Sequence, residues 1–267
     1  MREREEGTVL VTVLAVVALA SAVLVTMVTT QETAIARSQR YSEAAQALEI
    51  ARGGEASVVA ALRRDGREAP QIDHYGEAWA SVQDREQAIE NGTFTLTVED
   101  MQGRFNLTGG GVIFADTVRR IVARAAPGVD LDAVLGDDPA TMLALARSVD
   151  PGLAERIAPF VVRLPVTTDI NINAASETLL AALLQNPVAA RRIARSRDRQ
   201  GYVTGADIRQ LGVVLPRGMG LTSNFFRVTT TVRLGRTTQR LESLLHRRRD
   251  GGSVVVDIVS RRRSPTP

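Results

Sequence analysis

At 267 residues, 44% apolar and 24% charged, the chain has the make-up of a folded protein of one large or two small domains, not of a disordered one. It has no cysteine and no lysine, which excludes disulfide scaffolds, thiolate metal sites, Schiff-base chemistry and a lysine-based phosphate loop. The net charge of +3 hides an asymmetry: residues 247–263 hold six arginines and two aspartates, a balance of +4, so the remainder sums to about −1. That arginine-rich run reads as a solvated, frayed end of the chain. Aromatics are only 4%, so the core is built from Ala, Val, Leu and Ile. His74 and His246 are the two histidines, far apart, and no GxSxG or HExxH motif is present. The chain is therefore not read as an enzyme.

Residues 1–7 read MREREEG, and the 24 residues from Thr8 to Gln31 carry no charge. As a helix such a run rises about 36 Å, enough to cross a hydrocarbon core of about 30 Å. Its threonines and Ser21 can return their hydroxyls to the preceding turn. The run is too long for a secretory h-region, and no small-x-small cleavage site follows it. Helix formers continue from Glu32 to Arg64 with no proline before Pro70, and Gly53 and Gly54 are the one weak point. The expectation is one long helix, membrane-embedded over 8–31 and amphipathic over 32–64.

A charged leader ending in glycine, followed at once by an apolar helix, resembles the amino-terminal signal of type IV pilins and type II secretion pseudopilins. The resemblance implies that a prepilin peptidase cuts after Gly7 and methylates Thr8. It departs from the family in having Thr8 at the new terminus and Thr12 where a glutamate is usual. A subunit without that carboxylate is poorly suited to sit beneath another copy but can end a filament, and among pseudopilins the K subunit typically lacks it.

Further along, Phe94, Leu96 and Val98 alternate with Thr93, Thr95 and Thr97, the period of a half-buried strand. Asp100–Gly103 reads as a turn and Arg104–Leu107 as the return strand. Residues 115–163 read as short helices punctuated by Pro127, Pro139 and Pro151. Asp130, Asp132, Asp137 and Asp138 form an acidic cluster without EF-hand spacing. It reads as a solvated loop, with calcium as the second reading. Asn173 is expected to cap a helix over 174–184; a second helix follows over 188–197, and Thr204 precedes a third. This is a helix-hairpin-helix-like arrangement. Its turn, Gln185-Asn186-Pro187-Val188, has no glycine and loses an N–H to proline, which disfavours phosphate contact. Arg191, Arg192, Arg195, Arg197 and Arg199 are the residues that could still touch phosphate. The alternative function is a membrane-anchored DNA-binding or uptake protein, but no nucleic-acid partner is expected. Phe226, Val228, Thr230, Val232 and Leu234 alternate again, Leu241–Leu245 returns, and Val254–Val259 offers a further strand.

Together, VEDMQGRFNLT, Trp79 ahead of it, the N-x-N-x-A opening at Asn171 and the closing TSNFFRVTTTVRLGRTTQRLESLLHR resemble the K subunit of the type II secretion minor pseudopilins. The resemblance implies an α+β pseudopilin fold: a long amino-terminal membrane helix on an antiparallel sheet, with an inserted all-α domain. The expected division is leader 1–7, membrane helix 8–31, periplasmic helix 32–64, first β part 65–110, helical insert 111–220, closing strands 221–259 and basic tail 260–267. It further implies partners in the I and J subunits, close helix approach at Ala15, Ala18, Ser21 and Ala22, and a single pass through the bacterial inner membrane with the bulk in the periplasm.

Overall fold

The computed structural model describes residues 2–81, 86–108, 112–127 and 151–266. Helix α1, Arg2–Glu68, is continuous. No proline interrupts its hydrogen bonds, and the glycine pair leaves it intact. Residues 13–42 are exposed apart from half-buried Ala36. Over residues 13–33 Ser21, Thr26, Thr29, Thr30 and Thr33 return their hydroxyls to the helix: Ser21 donates to the Val17 carbonyl at 2.8 Å and Thr30 to that of Thr26 at 2.7 Å. The uncharged part of this surface, residues 13–31, with its hydroxyls turned back to the helix, suits a hydrocarbon surrounding. Beyond residue 42 the helix settles on a sheet. Ala47, Ala51, Val58 and Leu62 are fully buried, and their spacing of four and seven places them on one face.

The sheet has the order β1-β2-β7-β8-β9, antiparallel throughout. Its strands are β1 Gln87–Ile89, β2 Gly92–Asp100, β7 Phe225–Leu234, β8 Thr237–Asp250 and β9 Ser253–Thr266. The alternation in β2 and β7 puts Leu96, Val98, Phe226, Val228 and Val232 against α1. Trp79 closes this core edge-on to Phe226, with ring centroids 5.0 Å apart, and its indole N–H donates to Glu77 at 2.8 Å.

The two glycines of α1 have opposite roles. A Cβ on Gly54 would lie 2.9 Å from the Phe94 ring, whereas one on Gly53 would meet nothing within 4 Å. Gly53→Ala is therefore expected to stabilise the fold by about 0.5–1 kcal/mol, the helix-propensity difference. Gly54→Ala is expected to destabilise it, because Phe94 must move. Urea melts of the two variants check the opposite signs.

The chain leaves β2 through a 3₁₀ turn, Met101–Gly103, capped by Asp100. The expected return strand does not form. β3, Phe105–Asn106, pairs in parallel with β4, Val161–Val162, and β7 takes one edge of β2 along its whole length. Asn106 fixes this course. Its Oδ1 accepts from the N–H of Leu164 at 3.1 Å and its Nδ2 donates to the Val166 carbonyl at 2.7 Å.

Between β2 and β7 the described helices are α2 Val112–Ala125, α3 Pro151–Ile157, α4 Glu177–Leu184, α5 Pro187–Gln200 and α6 Gly205–Gln210. A second parallel pair, β5 Ile170–Asn171 with β6 Met219–Gly220, crosses this segment, so it is not all-α as expected. It has its own core around Ile121, Leu153, Ile172, Leu179, Leu180 and Ile193. Asp130, Asp132, Asp137 and Asp138 lie outside the described residues.

The cap of α4 is Ser176, whose hydroxyl accepts from the Leu179 N–H, and not Asn173. Asn173 is buried and spent elsewhere. It accepts from the Val203 N–H at 2.8 Å and donates to the Val203 carbonyl at 3.1 Å, pinning the loop that leads into α6. Asn186 caps α5 through the N–H groups of Val188 and Ala189, and Thr204 with Asp207 forms a capping box on α6.

The arginine-rich end is also corrected. β8 runs on to Asp250 and β9 to Thr266, so residues 260–266 are strand and not a frayed tail. Arg261 pairs with buried Glu55 of α1, and the Nε of Arg263 donates to Gln239 at 3.0 Å. These inward partners hold basic residues within a strand that has no apolar alternation there.

Candidate assembly surface

Two features could serve assembly: the uncovered face of α1 and the joint between sheet and insert. On α1, Ala15, Ala18, Ser21 and Ala22 are all exposed, as are Ala45, Gly53, Ala56 and Ala60 on the side facing away from the sheet. Large apolar neighbours such as Leu14, Leu19 and Leu24 are 60–69% exposed. Small residues among them let a second helix approach closely. Gly7 and Thr8 fall within the first turns of α1.

The joint is polar and buried. The guanidinium of Arg247, on β8, lies between Asp65 at the end of α1 and Asp73 in the following loop, 2.5 Å from each. It also donates to the Ser223 carbonyl at 2.7 Å and covers the Phe226 ring at 5.1 Å. Asp73 accepts from the Ser223 N–H at 2.7 Å. Asp100, at the end of β2, accepts from the Ser223 hydroxyl at 2.6 Å and from Asn171 of the insert at 2.8 Å. Gln102 donates to the Asp169 carbonyl at 2.8 Å and accepts from the Asn224 N–H at 2.7 Å. Glu77 accepts from the His74 N–H at 3.0 Å, and His74 stacks on Tyr202 of the insert at 4.1 Å.

Charge follows from burial. Desolvation, with Glu77 beside it, pushes the Asp65 carboxyl up to about 7 despite Arg247. Burial lifts Asp100 to about 6 although Ser223, Asn171 and the Gln102 N–H all donate to it. Burial raises Glu77 as well. Burial opposes the charge on Arg247, but Asp73 and Asp65 outweigh it and hold the guanidinium above its ordinary value. Oxygens of Asp65, Asp73 and Glu77 lie within 4.8 Å of one another, a spacing a metal ion could use. The guanidinium already supplies the positive charge between Asp65 and Asp73.

The five α5 arginines are not one face. Arg197 turns inward and donates to the carbonyls of Ile172, Asn173 and Ala175 at 3.1, 3.2 and 2.6 Å. Arg191 approaches Glu177 at 3.5 Å. Arg192, Arg195 and Arg199 are exposed. No sequence motif groups the joint residues. Asp65, Asp73, Asp100, Ser223 and Arg247 belong to different elements, and no local period links them.

A family model for type II secretion system (T2SS), protein K, matches residues 170–221. Type II secretion system protein K of Pseudomonas aeruginosa is 31% identical, over 94% of this chain and 91% of that protein. The chain belongs to the type II secretion system protein K family. The protein of that name from Pectobacterium carotovorum subsp. carotovorum is 26% identical, over 92% of this chain and 94% of its own. Among solved structures, a chain from the crystal structure of the GspK-GspI-GspJ complex of the enterotoxigenic Escherichia coli Type 2 Secretion System superposes with a TM-score of 0.60. That match covers 86% of this chain and 100% of the other at 17% identity, and it establishes a shared fold.

As a protein K, this chain is a minor pseudopilin, a structural subunit of type II secretion. The segment matched by the family model begins at Ile170 and ends at Leu221, so it spans the part of the insert whose two ends reach the joint. Asn171 touches Asp73 and Asp100 from one end, and the Leu221 carbonyl accepts from the Asp73 N–H at the other.

Proposed function

We propose that this protein K caps the tip of the type II secretion pseudopilus, assembled with the I and J subunits. In this reading α1 crosses the inner membrane once and the sheet and insert stand in the periplasm. The observation that carries it is residues 13–31 of α1, uncharged, helical and exposed at every described position. Such a surface calls for lipid and for other helices. The insert, placed between β2 and β7, adds bulk that would stop a further subunit from stacking. Thr12 in place of an acid removes the charge another copy above would need. A prepilin peptidase would first cut between Gly7 and Thr8.

One experiment addresses both steps. The full chain is expressed with the I and J subunits, with and without a prepilin peptidase. The amino-terminal peptide mass and the co-purifying subunits are then read from one preparation. The expected result is a peptidase-dependent start at Thr8 with one added methyl group, and a ternary complex in detergent. An intact Met1, a cut beyond Gln31, or failure of I and J to co-purify with the processed chain would overturn the reading.

A further inference from the structure

The insert holds a cleft of about 430 Å³, within the range of about 300–1,000 Å³ usual for a ligand site. It opens where a ladder stops. The parallel pairing of β5 with β6 begins at the Ile170 N–H, which donates to the Gly218 carbonyl at 2.8 Å. Ahead of that bond, Thr167 and Thr168 on one segment and Pro216 and Arg217 on the other line the cleft without bonding to each other. Pro216 has no N–H with which to extend the pairing. The backbone N–H and C=O groups of Thr167 and Thr168 have no partner among the described residues. Their segment is nonetheless fixed, because Asn106 donates to the Val166 carbonyl at 2.7 Å and to the Thr168 hydroxyl at 3.2 Å.

The cleft is also cationic. Arg120 and Arg217 line it, and no aspartate or glutamate does. Half-buried Arg120 donates to the Ala182 carbonyl at 3.2 Å and to the Thr117 hydroxyl at 2.8 Å, which leaves three of its five N–H groups. The other buried or half-buried arginines among the described residues are matched more fully. Arg104, Arg119, Arg227 and Arg247 pair with carboxylates, and Arg197 is held by three carbonyls. Arg217 is exposed and has no partner among the described residues. Phe105, Ile170, Leu183 and Met219 add an apolar wall that belongs to the core of the insert.

We propose that this cleft binds an extended acidic segment of another polypeptide, with its backbone on Thr167 and Thr168, a carboxylate on Arg120 and Arg217, and an apolar side chain on the wall.

Each feature answers one part of such a ligand. An extended chain adds to an open ladder through its main-chain groups. Guanidinium groups with unused donors, beside an apolar surface, favour a carboxylate through charge-assisted hydrogen bonds. A bare phosphate would meet the charge but leave the wall and the backbone groups uncovered. The site lies wholly within the insert, so it needs neither the membrane helix nor the I and J subunits.

The probe is the pentapeptide Ala-Leu-Glu-Leu-Ala, amidated and carrying a neutral dye on its amino end, with a Gln analogue as its uncharged match. The full chain in detergent is titrated with each at low salt, and fluorescence anisotropy is read. The expected result is saturable binding, about tenfold weaker for the Gln analogue. Hydrogen exchange at Thr167 and Thr168 should slow when the Glu peptide is added. Arg217→Glu, at an exposed position without contacts, should reverse the preference between the two peptides. Arg120→Gln with Arg217→Gln should reduce it to less than about twofold. If that double variant does not fold, Arg217→Glu alone carries the test. Equal binding of the two peptides, an unchanged preference in Arg217→Glu, or no saturable signal would overturn the proposal. So would displacement by inorganic phosphate as effective as by the unlabelled peptide, since that marks an anion site and not a peptide cleft.

Discussion

Arg247→Met should lower the unfolding free energy by about 3–5 kcal/mol at pH 8, the loss that follows from stripping the partner off buried charges. The side chain is 8% exposed and its guanidinium bridges two carboxylates that are themselves 7% and 1% exposed. Methionine fills much of the same volume, so the loss reports charge and hydrogen bonding more than a cavity. It should shrink markedly at pH 5, because Asp65, Asp100 and Glu77 are the groups burial has made ready to accept protons. Urea melts of the wild-type chain and the variant at both pH values make the comparison. An equal loss at pH 5 and pH 8 would mean that the stacking over Phe226 dominates and not charge compensation. Arg247→Lys should fall between the two, since a single ammonium cannot span Asp65 and Asp73 as the planar fork does.

Trp79→Ala should be comparably severe, about 3–5 kcal/mol, as expected for removing a large aromatic from a packed core. Trp79 is fully buried, packs with the cluster that contains Val58, Leu62 and Phe226, and lies 5.7 Å from the Tyr75 ring. Trp79→Phe should recover most of the packing but leave Glu77 without the indole donor. It should therefore remain measurably weaker than the wild type. Trp79 is the one tryptophan in the chain, so its fluorescence follows unfolding of the wild type, and circular dichroism serves for the variants. A loss below about 1 kcal/mol for the alanine variant would show that the loop carrying Trp79 does not close the core.

Much of the architecture could be read locally. The uncharged run and the absence of proline before Pro70 specify α1, because helix continuity depends on neighbours within a turn or two. The alternation from Phe94 to Val98 and from Phe226 to Leu234 specifies β2 and β7, because one face of each is buried and the side-chain period is two. Thr204 ahead of Gly205–Gln210 is legible as a cap for the same reason.

Other positions carry several local possibilities among which only distant residues choose. Asn171, Asn173 and Ser176 can all cap a helix. Ser176 does so because Asn173 is taken by Val203 and Asn171 by Asp73 and Asp100. Phe105–Asn106 has the look of a returning strand, but its backbone pairs with Val161–Val162 and the Asn106 amide is held by Leu164 and Val166. Arg261–Ser264 shows no apolar alternation, yet it is strand because β8 offers an open edge and Glu55 and Gln239 receive its arginines.

The membrane-length helix, the two alternating strands and the run of short capped helices are set by local sequence, since periodicity and capping act over a few residues. The partner of each strand edge and the fate of the charges depend on long-range packing. Whether an arginine such as Arg247 is solvated or buried depends on whether two carboxylates from other elements arrive at the same point, and no window of neighbouring residues contains that information.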